Sequence, residues 1–335
     1  MYKPHLPKKS FAPFFALILA TVIWGGALPV IKLTEAYIPP FSFLLLRFIL
    51  VCILMLPIVF IELKATPVHP KDIKNLILLG LFGQASLAFI FWGVKYTSTI
   101  DTALISTVAP LMIIFAGHHF YNEKVTYMTK WGVAIATIGT ALIVFEPLIT
   151  KSNVVQDVPA NLRLLGNFLV VMYNILFTIY IIYSKVVMGK MTNEVKSFLK
   201  FIHVEKMQRA YSPLLSTAIT FYVGLAAMIP FALFENLGGS GMTGIDFSKL
   251  TVTPILGIVY MAVLSSIVAY IAYEWGLSHS DVADGAIFGY LGPLFTIPFS
   301  FLLLGEIPTN TAVFGSIIIT IGVVIAEKYK VLSKH

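Results

Sequence analysis

The sequence predicts an all-α integral membrane protein of ten transmembrane helices, arranged as two inverted repeats of five helices each. Its composition is 58% hydrophobic and only 12% charged, whereas soluble domains carry about 25% charged residues. Ten apolar segments have the length of about 17–25 residues that a bilayer-spanning helix needs. The second half of the chain also repeats the first. These three observations together predict the fold class.

The internal repeat is found by shifting the chain on itself by 183 residues. Over an ungapped stretch of 48 positions, from Trp92 to Gly139, the shift produces 14 identities, against roughly three or four expected from composition alone. The pairs that it aligns include Trp92/Trp275, Asp101/Asp284, Pro110/Pro293, Glu123/Glu306, Gly132/Gly315 and Gly139/Gly322. Such self-similarity at a fixed spacing indicates a duplicated structural unit.

The apolar segments fall into two sets separated by Pro, Gly and charged residues. The first set covers residues 11–33, 41–61, 74–95, 100–120 and 129–146, and the second covers 162–186, 213–234, 252–277, 284–304 and 310–327. The predicted organisation is therefore an N-terminal tail (1–10), a first repeat (11–147), a linker (148–161), a second repeat (162–327) and a C-terminal tail (328–335).

The distribution of basic residues predicts the topology. If the N-terminus is inside, five of the 23 Lys and Arg residues lie outside, Arg47 lies within a helix, and 17 lie inside. The five outer residues are Lys32, Lys95, Lys151, Arg163 and Lys249. The positive-inside rule then predicts a multi-pass protein of the cell membrane with both termini in the cytoplasm. Because each repeat has an odd number of spans, the two repeats are inserted in opposite directions, as in many secondary transporters that work by alternating access.

Several segments resemble the repeats of a known family. The first repeat carries "IWGGALPVIKL" at 23–33, "LRFILV" at 46–51, "YTSTIDTALISTVAPLMIIF" at 96–115 and "NEK" at 122–124. The second carries "SPLLSTAITFYVG" at 212–224, "GLSHSDVADGAIFGYLGPLF" at 276–295 and "LGE" at 304–306. This arrangement resembles the EamA-type transporters of the drug/metabolite transporter superfamily. The resemblance implies an exporter or exchanger of small metabolites, amino acids among them, with a central cavity lined by helices 1, 3, 4, 6, 8 and 9.

The predicted function is therefore a secondary transporter that moves a small organic metabolite outward, with the solute and membrane lipids as its partners. A lipid flippase or scramblase on the same fold stays open as an alternative. No catalytic motif is present, so that the sequence predicts neither an enzyme nor a catalytic residue. Cys52 has no partner and no Cys/His spacing suits a metal, so that no disulfide, metal or cofactor is expected.

Two further properties follow from the charges and the glycines. The net charge of +7 comes from short loops between apolar segments, which is the pattern of topology determinants, so that no nucleic-acid partner is expected. The glycine-rich fifth and tenth spans could pack within one chain or against another copy. The oligomeric state therefore stays open.

Polar and aromatic groups inside the spans are the candidate solute-binding residues. Gln84 and Asn174 are amides that must find hydrogen-bond partners within the membrane. The aromatic candidates are Trp24, Trp92, Tyr173, Tyr180, Tyr273 and Tyr290, because a pocket for an organic solute needs apolar rings with a few polar groups. An interfacial position is the alternative for Trp92, which lies near a helix end.

Two prolines in the middle of matching spans are candidate hinges. Pro110 and Pro293 each collide with the carbonyl group four residues earlier, which frees a backbone acceptor next to Ser106 and Thr107 in the first repeat. Freed carbonyls are tolerated where they face protein or a wet cavity. The alternative is a kink that only fits the helices together.

Two charged residues within spans have two interpretations each. Arg47 could attract an anionic group such as a carboxylate, or it could reach the interface or pair with Glu35. Glu274 is the candidate proton carrier, and a hydrated group is its alternative. The insertion at 188–211 is predicted to be an amphipathic cytoplasmic segment on the membrane surface.

Overall fold

A computed structural model describes residues 12–122, 125–149, 158–238, 244–278 and 290–332. All regular structure within these ranges is helical. The N-terminal tail, most of the linker, and residues Glu123, Asp281 and Asp284 lie outside the described residues, so that the predictions made for them are not examined by the structure.

The described residues of the first half form seven α-helices. They are α1 (Ala12–Glu35), α2 (Pro40–Ala65), α3 (Ile73–Tyr96), α4 (Thr99–Ser106), α5 (Val108–Tyr121), α6 (Tyr127–Val144) and the short α7 (Glu146–Ile149). Pro39 and Pro40 start α2, where a missing backbone N–H costs nothing. Ser98 caps α4 by accepting a hydrogen bond from the backbone N–H of Asp101.

The second half forms α8 (Ala160–Val187), α9 (Asn193–Phe201), α10 (Pro213–Asn236), α11 (Val252–Val259), α12 (Ala269–Ser278), α13 (Gly292–Leu304) and α14 (Asn310–Leu332). Between α11 and α12 the chain continues as a π-helical segment, Tyr260–Val268, without a break in the helix. The π segment therefore lies in the middle of the eighth predicted span.

Apolar helices account for the membrane character of the chain. Among the described residues, eight helical segments are long and apolar enough to cross a bilayer. Two shorter apolar helices, Gly292–Leu304 and Asn310–Ala326, occupy the positions of the ninth and tenth predicted spans. Large apolar side chains such as Phe60 and Leu302 are exposed on the helix surfaces, as lipid contact requires. The chain is therefore a multi-pass membrane protein.

The sequence repeat is also visible in local structure. Asn122 ends α5 and Gly305 ends α13, and both adopt a left-handed backbone, with φ of 53° and 67°. These two residues are 183 positions apart. Thr126 and Thr309, again 183 apart, each accept a hydrogen bond at Oγ1 from the backbone N–H three residues later. Matching positions of the repeat therefore have matching helix ends.

The helices α6 and α14 cross at their glycines. A Cβ atom built on Gly322 would lie 2.5 Å from the carbonyl oxygen of Gly132, and one built on Gly139 would lie 2.8 Å from that of Gly315. In the sequence repeat, Gly132 corresponds to Gly315 and Gly139 to Gly322. The contact is thus reciprocal, as a two-fold axis through the crossing would produce. The glycine-rich fifth and tenth spans therefore pack against each other within one chain.

The interior lies where α1 and α8 pack against the opposite halves. Gly25 in α1 lies against Phe295 of α13, with a built Cβ only 2.5 Å from the Phe295 side chain. Gly83 in α3 lies against the ring of Tyr180 in α8, at 2.8 Å from its Cδ2. These close contacts pack α1 against α13 and α3 against α8.

Candidate functional site

The π segment forms one wall of the candidate site. The hydroxyl of Ser266 donates a hydrogen bond to the carbonyl oxygen of Met261, 2.7 Å away and five residues earlier. Trp24 of α1 donates its indole N–H to the carbonyl oxygen of Ser265 over 3.0 Å. Short π-helical stretches inside α-helices occur frequently at functional sites. Nothing in the residue pattern of Tyr260–Val268 had indicated this segment.

Arg47 of α2 points into the protein at the π segment. Its side chain is buried, with 3% of the residue exposed. Nε and Nη2 both donate to the hydroxyl oxygen of Ser266, over 3.0 and 2.8 Å. The guanidinium carbon Cζ lies 5.9 Å from the ring centre of Phe48 and 5.8 Å from that of Phe91.

The burial of Arg47 rules out the alternatives that would have made it a surface group. It does not reach the interface, and its hydrogen bonds are made with Ser266 rather than with Glu35. Within the described ranges, no carboxylate lies at ion-pair distance from the guanidinium. A cation inside a membrane span normally has such a partner.

Aromatic rings surround the same interior. The ring of Trp24 lies 5.4 Å from that of Tyr270 and 5.0 Å from that of Tyr273. Tyr270 is in turn 6.0 Å from Phe221. Tyr270 and Tyr173 both lie close to Arg47. The structure therefore brings Trp24, Tyr173 and Tyr273 to the region of Arg47.

The two predicted amides each keep a carbonyl oxygen without a hydrogen bond. Gln84 donates through Nε2 to the hydroxyl of Thr220 over 3.1 Å, and Asn174 donates through Nδ2 to the carbonyl oxygen of Ile105 over 3.2 Å. Their oxygens, Oε1 and Oδ1, are buried and accept nothing from the described residues. A buried acceptor without a donor is costly.

A third buried amide, Asn167 of α8, behaves differently. Its Nδ2 donates to the carbonyl oxygens of Ile143 and Val144, over 3.2 and 3.0 Å, and its Oδ1 accepts from the hydroxyl of Thr97. Every polar atom of this side chain is therefore used. Asn167 therefore differs from Gln84 and Asn174, whose carbonyl oxygens accept nothing from the described residues.

A break in the helix lies close to Pro110. The helix is interrupted at Thr107, three residues before Pro110, and α5 starts at Val108. The hydroxyl of Ser106 is buried there without a partner among the described residues, whereas Thr107 donates to the carbonyl oxygen of Leu104. Pro293 lies in the first turn of α13. The role of either proline as a hinge stays a prediction.

The remaining candidates lie in three different places. The ring of Trp92 packs 5.8 Å from that of Phe41, and its indole N–H is buried without an acceptor among the described residues. Tyr180 packs on Gly83 in the α3–α8 contact. Tyr290 contacts the apolar cluster that α5, α6 and α14 form. The side chain of Glu274 lies outside the part that the structure describes.

A cluster of charged and polar residues, here named the corner cluster, lies where α3 ends and α4 begins. Its members are Thr97, Thr99, Asp101, Glu146, Arg163, Asn167, Ser300 and Glu306. Nη2 of Arg163 lies 2.8 Å from Oε2 of Glu146 and 3.9 Å from Oδ2 of Asp101, and all three residues are buried. Arg163 is therefore part of the interior, and counting it as a loop charge was wrong.

The corner cluster connects the two halves of the chain. Oε2 of Glu306 accepts hydrogen bonds from the backbone N–H and the hydroxyl of Thr99, over 2.9 and 2.6 Å. The Thr99 hydroxyl also lies 2.6 Å from that of Ser300. Next to it, Nζ of Lys32 donates to the carbonyl oxygens of Val94 and Thr97, over 2.5 and 2.6 Å. A cation at the last carbonyls of α3 complements the helix dipole, so that the ends of α1, α3, α4 and α13 are held together.

The 188–211 insertion packs on the protein rather than on lipid alone. Val195 and Leu199 of α9 are buried against α3 and α8, and the ring of Phe198 lies 5.7 Å from that of Phe120. Asp72 accepts hydrogen bonds from the backbone N–H groups of Gln208 and Arg209 and from the hydroxyl of Tyr211. Burial raises the pKa of Tyr211, and its hydroxyl donates to Asp72.

Comparison with known proteins places the chain among transporters. The sequence profile of the EamA-like transporter family matches residues 12–145 and 197–327. An uncharacterized transporter of Archaeoglobus fulgidus is 27% identical over 308 residues, which are 92% of this chain and 94% of that protein. The uncharacterized transporter YyaM of Bacillus subtilis is 24% identical over 319 residues, 94% of this chain and 93% of that protein.

A solved crystal structure has a similar fold. It superposes with a TM-score of 0.54 at 17% sequence identity and covers 95% of this chain and 97% of the other. At this identity the similarity concerns the fold alone.

Proposed function

This chain belongs to the EamA-like transporter family and is a membrane transporter, and on that premise we propose that it moves a small organic metabolite by alternating access. The solute site lies between the two halves, near the middle of the bilayer. The proposed fold has ten spans in two inverted repeats, with α13 and α14 as the ninth and tenth.

The reciprocal crossing of α6 and α14 is the observation that carries this proposal. Gly132 contacts Gly322, and Gly139 contacts Gly315. Because Gly132 corresponds to Gly315 and Gly139 to Gly322 in the sequence repeat, the two contacts are equivalent. Two halves related in this way can rock against each other around a fixed centre, which is how inverted-repeat transporters expose one site to each side in turn.

The chemistry of the interior supports an organic solute. Buried acceptor oxygens on Gln84 and Asn174, a buried arginine and a group of aromatic rings lie within apolar spans. A binding site for a small organic molecule has this composition, mostly apolar with a few polar groups that fix orientation.

The direction of transport is proposed from the charges. The excess of basic residues on the loops that include both termini supports a cytoplasmic location for the termini. The corner cluster then lies at the outer end, and its ion pair and hydrogen bonds hold that end closed. A transporter closed on the outside is ready to take up a cytoplasmic solute, and export is the proposed outcome. Glu274 is the proposed proton carrier.

The test is solute exchange in liposomes. Purified protein is reconstituted, the vesicles are loaded with mixtures of unlabelled amino acids, organic acids or sugars, and the entry of each labelled solute is measured. We expect saturable exchange of at least one solute, reduced about tenfold in the Gln84→Leu variant and absent from protein-free vesicles. Movement of labelled lipid between leaflets without exchange of any solute would contradict the proposal and favour a flippase.

A further inference from the structure

We propose that Arg47 binds the carboxylate of the transported solute, and that this solute is a water-soluble organic carboxylate with an apolar body. The proposal rests on the proposed function, because it takes the Arg47 interior as the transport site. The family assignment covers many small metabolites and does not identify Arg47 as the group that binds one of them.

The first argument is the charge of Arg47. A guanidinium cannot lose its proton in a protein, and removing an uncompensated cation from water costs several kcal/mol. Within the described residues its hydrogen-bond partner is one neutral hydroxyl, that of Ser266. Two other inward-lying cations among the described residues have stronger acceptors: Arg163 pairs with the carboxylate of Glu146, and Lys32 donates to backbone carbonyls. Arg47 differs from both, and an anion in the site would offset the cost of burying its charge.

The second argument is the geometry of its donors. Ser266 donates its own proton to Met261, so that its lone pairs face Arg47 and hold the guanidinium in one orientation. Arginine has five N–H donors in a planar fork, and the bonds to Ser266 use Nε and Nη2 alone. No described residue accepts from Nη1. The fork is therefore held in place while part of its donor capacity is left for a carboxylate, which binds such a fork with two parallel hydrogen bonds.

The third argument concerns the body of the solute. The guanidinium lies under 6 Å from the rings of Phe48 and Phe91, and Tyr270, which lies close to it, packs on Trp24. Such walls favour an apolar or aromatic body. A single positive charge matches one carboxylate, whereas a phosphate dianion calls for more cationic or N–H donors than this interior supplies.

The test compares matched pairs of ligands in which an uncharged amide of similar shape replaces the carboxylate. The probes are phenylacetate with phenylacetamide, and phenylalanine with phenylalaninamide. The melting temperature of the detergent-purified protein is measured against the concentration of each probe, since a ligand that binds the folded state raises it. We expect saturable shifts in melting temperature with the two carboxylates. The two amides should need at least tenfold higher concentrations to produce the same shift.

Arg47 variants provide the second part of the test. Arg47→Met should abolish the carboxylate shift, and Arg47→Lys should retain part of it, since lysine keeps the charge and loses the fork. Without ligand, Arg47→Met should melt no lower than the wild type, because it removes an uncompensated buried charge. A lower melting temperature would mean that the arginine is structural, and that result would overturn the proposal.

The remaining outcomes are also decisive. Equal shifts with acid and amide, or no shift with any of the four probes, would overturn the proposal. A shift with laurate but not with phenylacetate would assign the site to lipid-derived carboxylates, and would also overturn it. If the liposomes exchange an uncharged solute while the carboxylates fail to bind, the proposed transport function stands and the role of Arg47 alone falls.

Discussion

Gly322 of α14 lies directly against the backbone of Gly132 in α6, so that a Cβ atom on Gly322 would be 2.5 Å from the Gly132 carbonyl oxygen. A backbone oxygen cannot rotate away as the end of a side chain can. The two helices can therefore cross this closely because neither has a side chain at the crossing, and the same holds where Gly139 meets Gly315.

Replacing Gly322 by alanine should force α6 and α14 apart. We expect Gly322→Ala to destabilise the protein by about 1–3 kcal/mol, the usual cost of overpacking, with a lower melting temperature in detergent. Gly292→Ala is the matched control, because a Cβ atom there has no neighbour within 4 Å. Equal melting temperatures for the two variants would mean that α6 and α14 are far enough apart to accommodate a methyl group, which would contradict the close crossing.

Removing Arg163 should destabilise the protein more than neutralising its ion-pair partner, Glu146. Arg163→Met leaves Glu146 and Asp101 buried without their cation, and breaking a buried pair in this way costs about 3–5 kcal/mol. The double variant Arg163→Met/Glu146→Gln should recover part of that loss, because it removes one of the stranded charges. Thermal unfolding of both single variants and the double variant measures the coupling. Strictly additive losses would contradict the ion pair.

The buried amides Gln84, Asn167 and Asn174 should respond differently to the same replacement. Asn167→Leu leaves two backbone carbonyls and a hydroxyl without partners, which costs about 1–3 kcal/mol for each buried group. Gln84→Leu and Asn174→Leu lose one hydrogen bond each and remove an unused acceptor. We expect their melting temperatures to stay near the wild type while solute exchange falls about tenfold, the equivalent of 1.4 kcal/mol.

The measurement is exchange rate against melting temperature for the three leucine variants. Asn167→Leu serves as the control for a structural amide, since its exchange should fall in proportion to the folded fraction. Normal exchange by a stable Gln84→Leu variant would remove Gln84 from the solute site.

Asp72 should hold the insertion in place. Its carboxylate accepts three hydrogen bonds, two from backbone N–H groups and one from Tyr211. Asp72→Ala should therefore expose the 188–211 segment to proteases and increase the rate of cleavage there. Lys71→Ala is the control, because its ion pair with Glu205 joins two exposed side chains and such pairs contribute about 0–1 kcal/mol. Unchanged cleavage in Asp72→Ala would contradict this function of the carboxylate.

The positions of the helices follow from short-range properties of the sequence. Long apolar segments, such as the one that became α2, identify the spans through their length alone. The break at Thr107 lies where Pro110 interferes with the preceding turn. The αL helix ends at Asn122 and Gly305 correspond to residue types that tolerate a positive φ.

The contacts that build the site were beyond such reasoning. Arg47 and Ser266 are 219 residues apart, and no property of either local sequence links them. The π segment has no recognised residue pattern. Arg163 precedes an apolar span and was therefore taken for a loop charge, whereas it is buried by the short helix α7, which brings Glu146 to it. Contacts between residues that are far apart in the sequence depend on tertiary packing, which the spacing of apolar residues does not reveal.

Alternating access is the central claim, and the corner cluster offers its most direct test. Thr99 and Ser300 come from opposite halves, and their hydroxyl oxygens are 2.6 Å apart. In a Cys52→Ala background, Thr99→Cys/Ser300→Cys replaces these oxygens by sulphurs that can form a disulfide with little backbone movement. The single-cysteine variants, treated with the same oxidant, are the controls.

The measurement is solute exchange in liposomes before oxidation, after oxidation and after reduction with dithiothreitol. We predict that oxidation stops exchange in the double-cysteine variant alone and that reduction restores it, because this end of the bundle must open in every cycle. Full exchange by the cross-linked protein would contradict alternating access through this end.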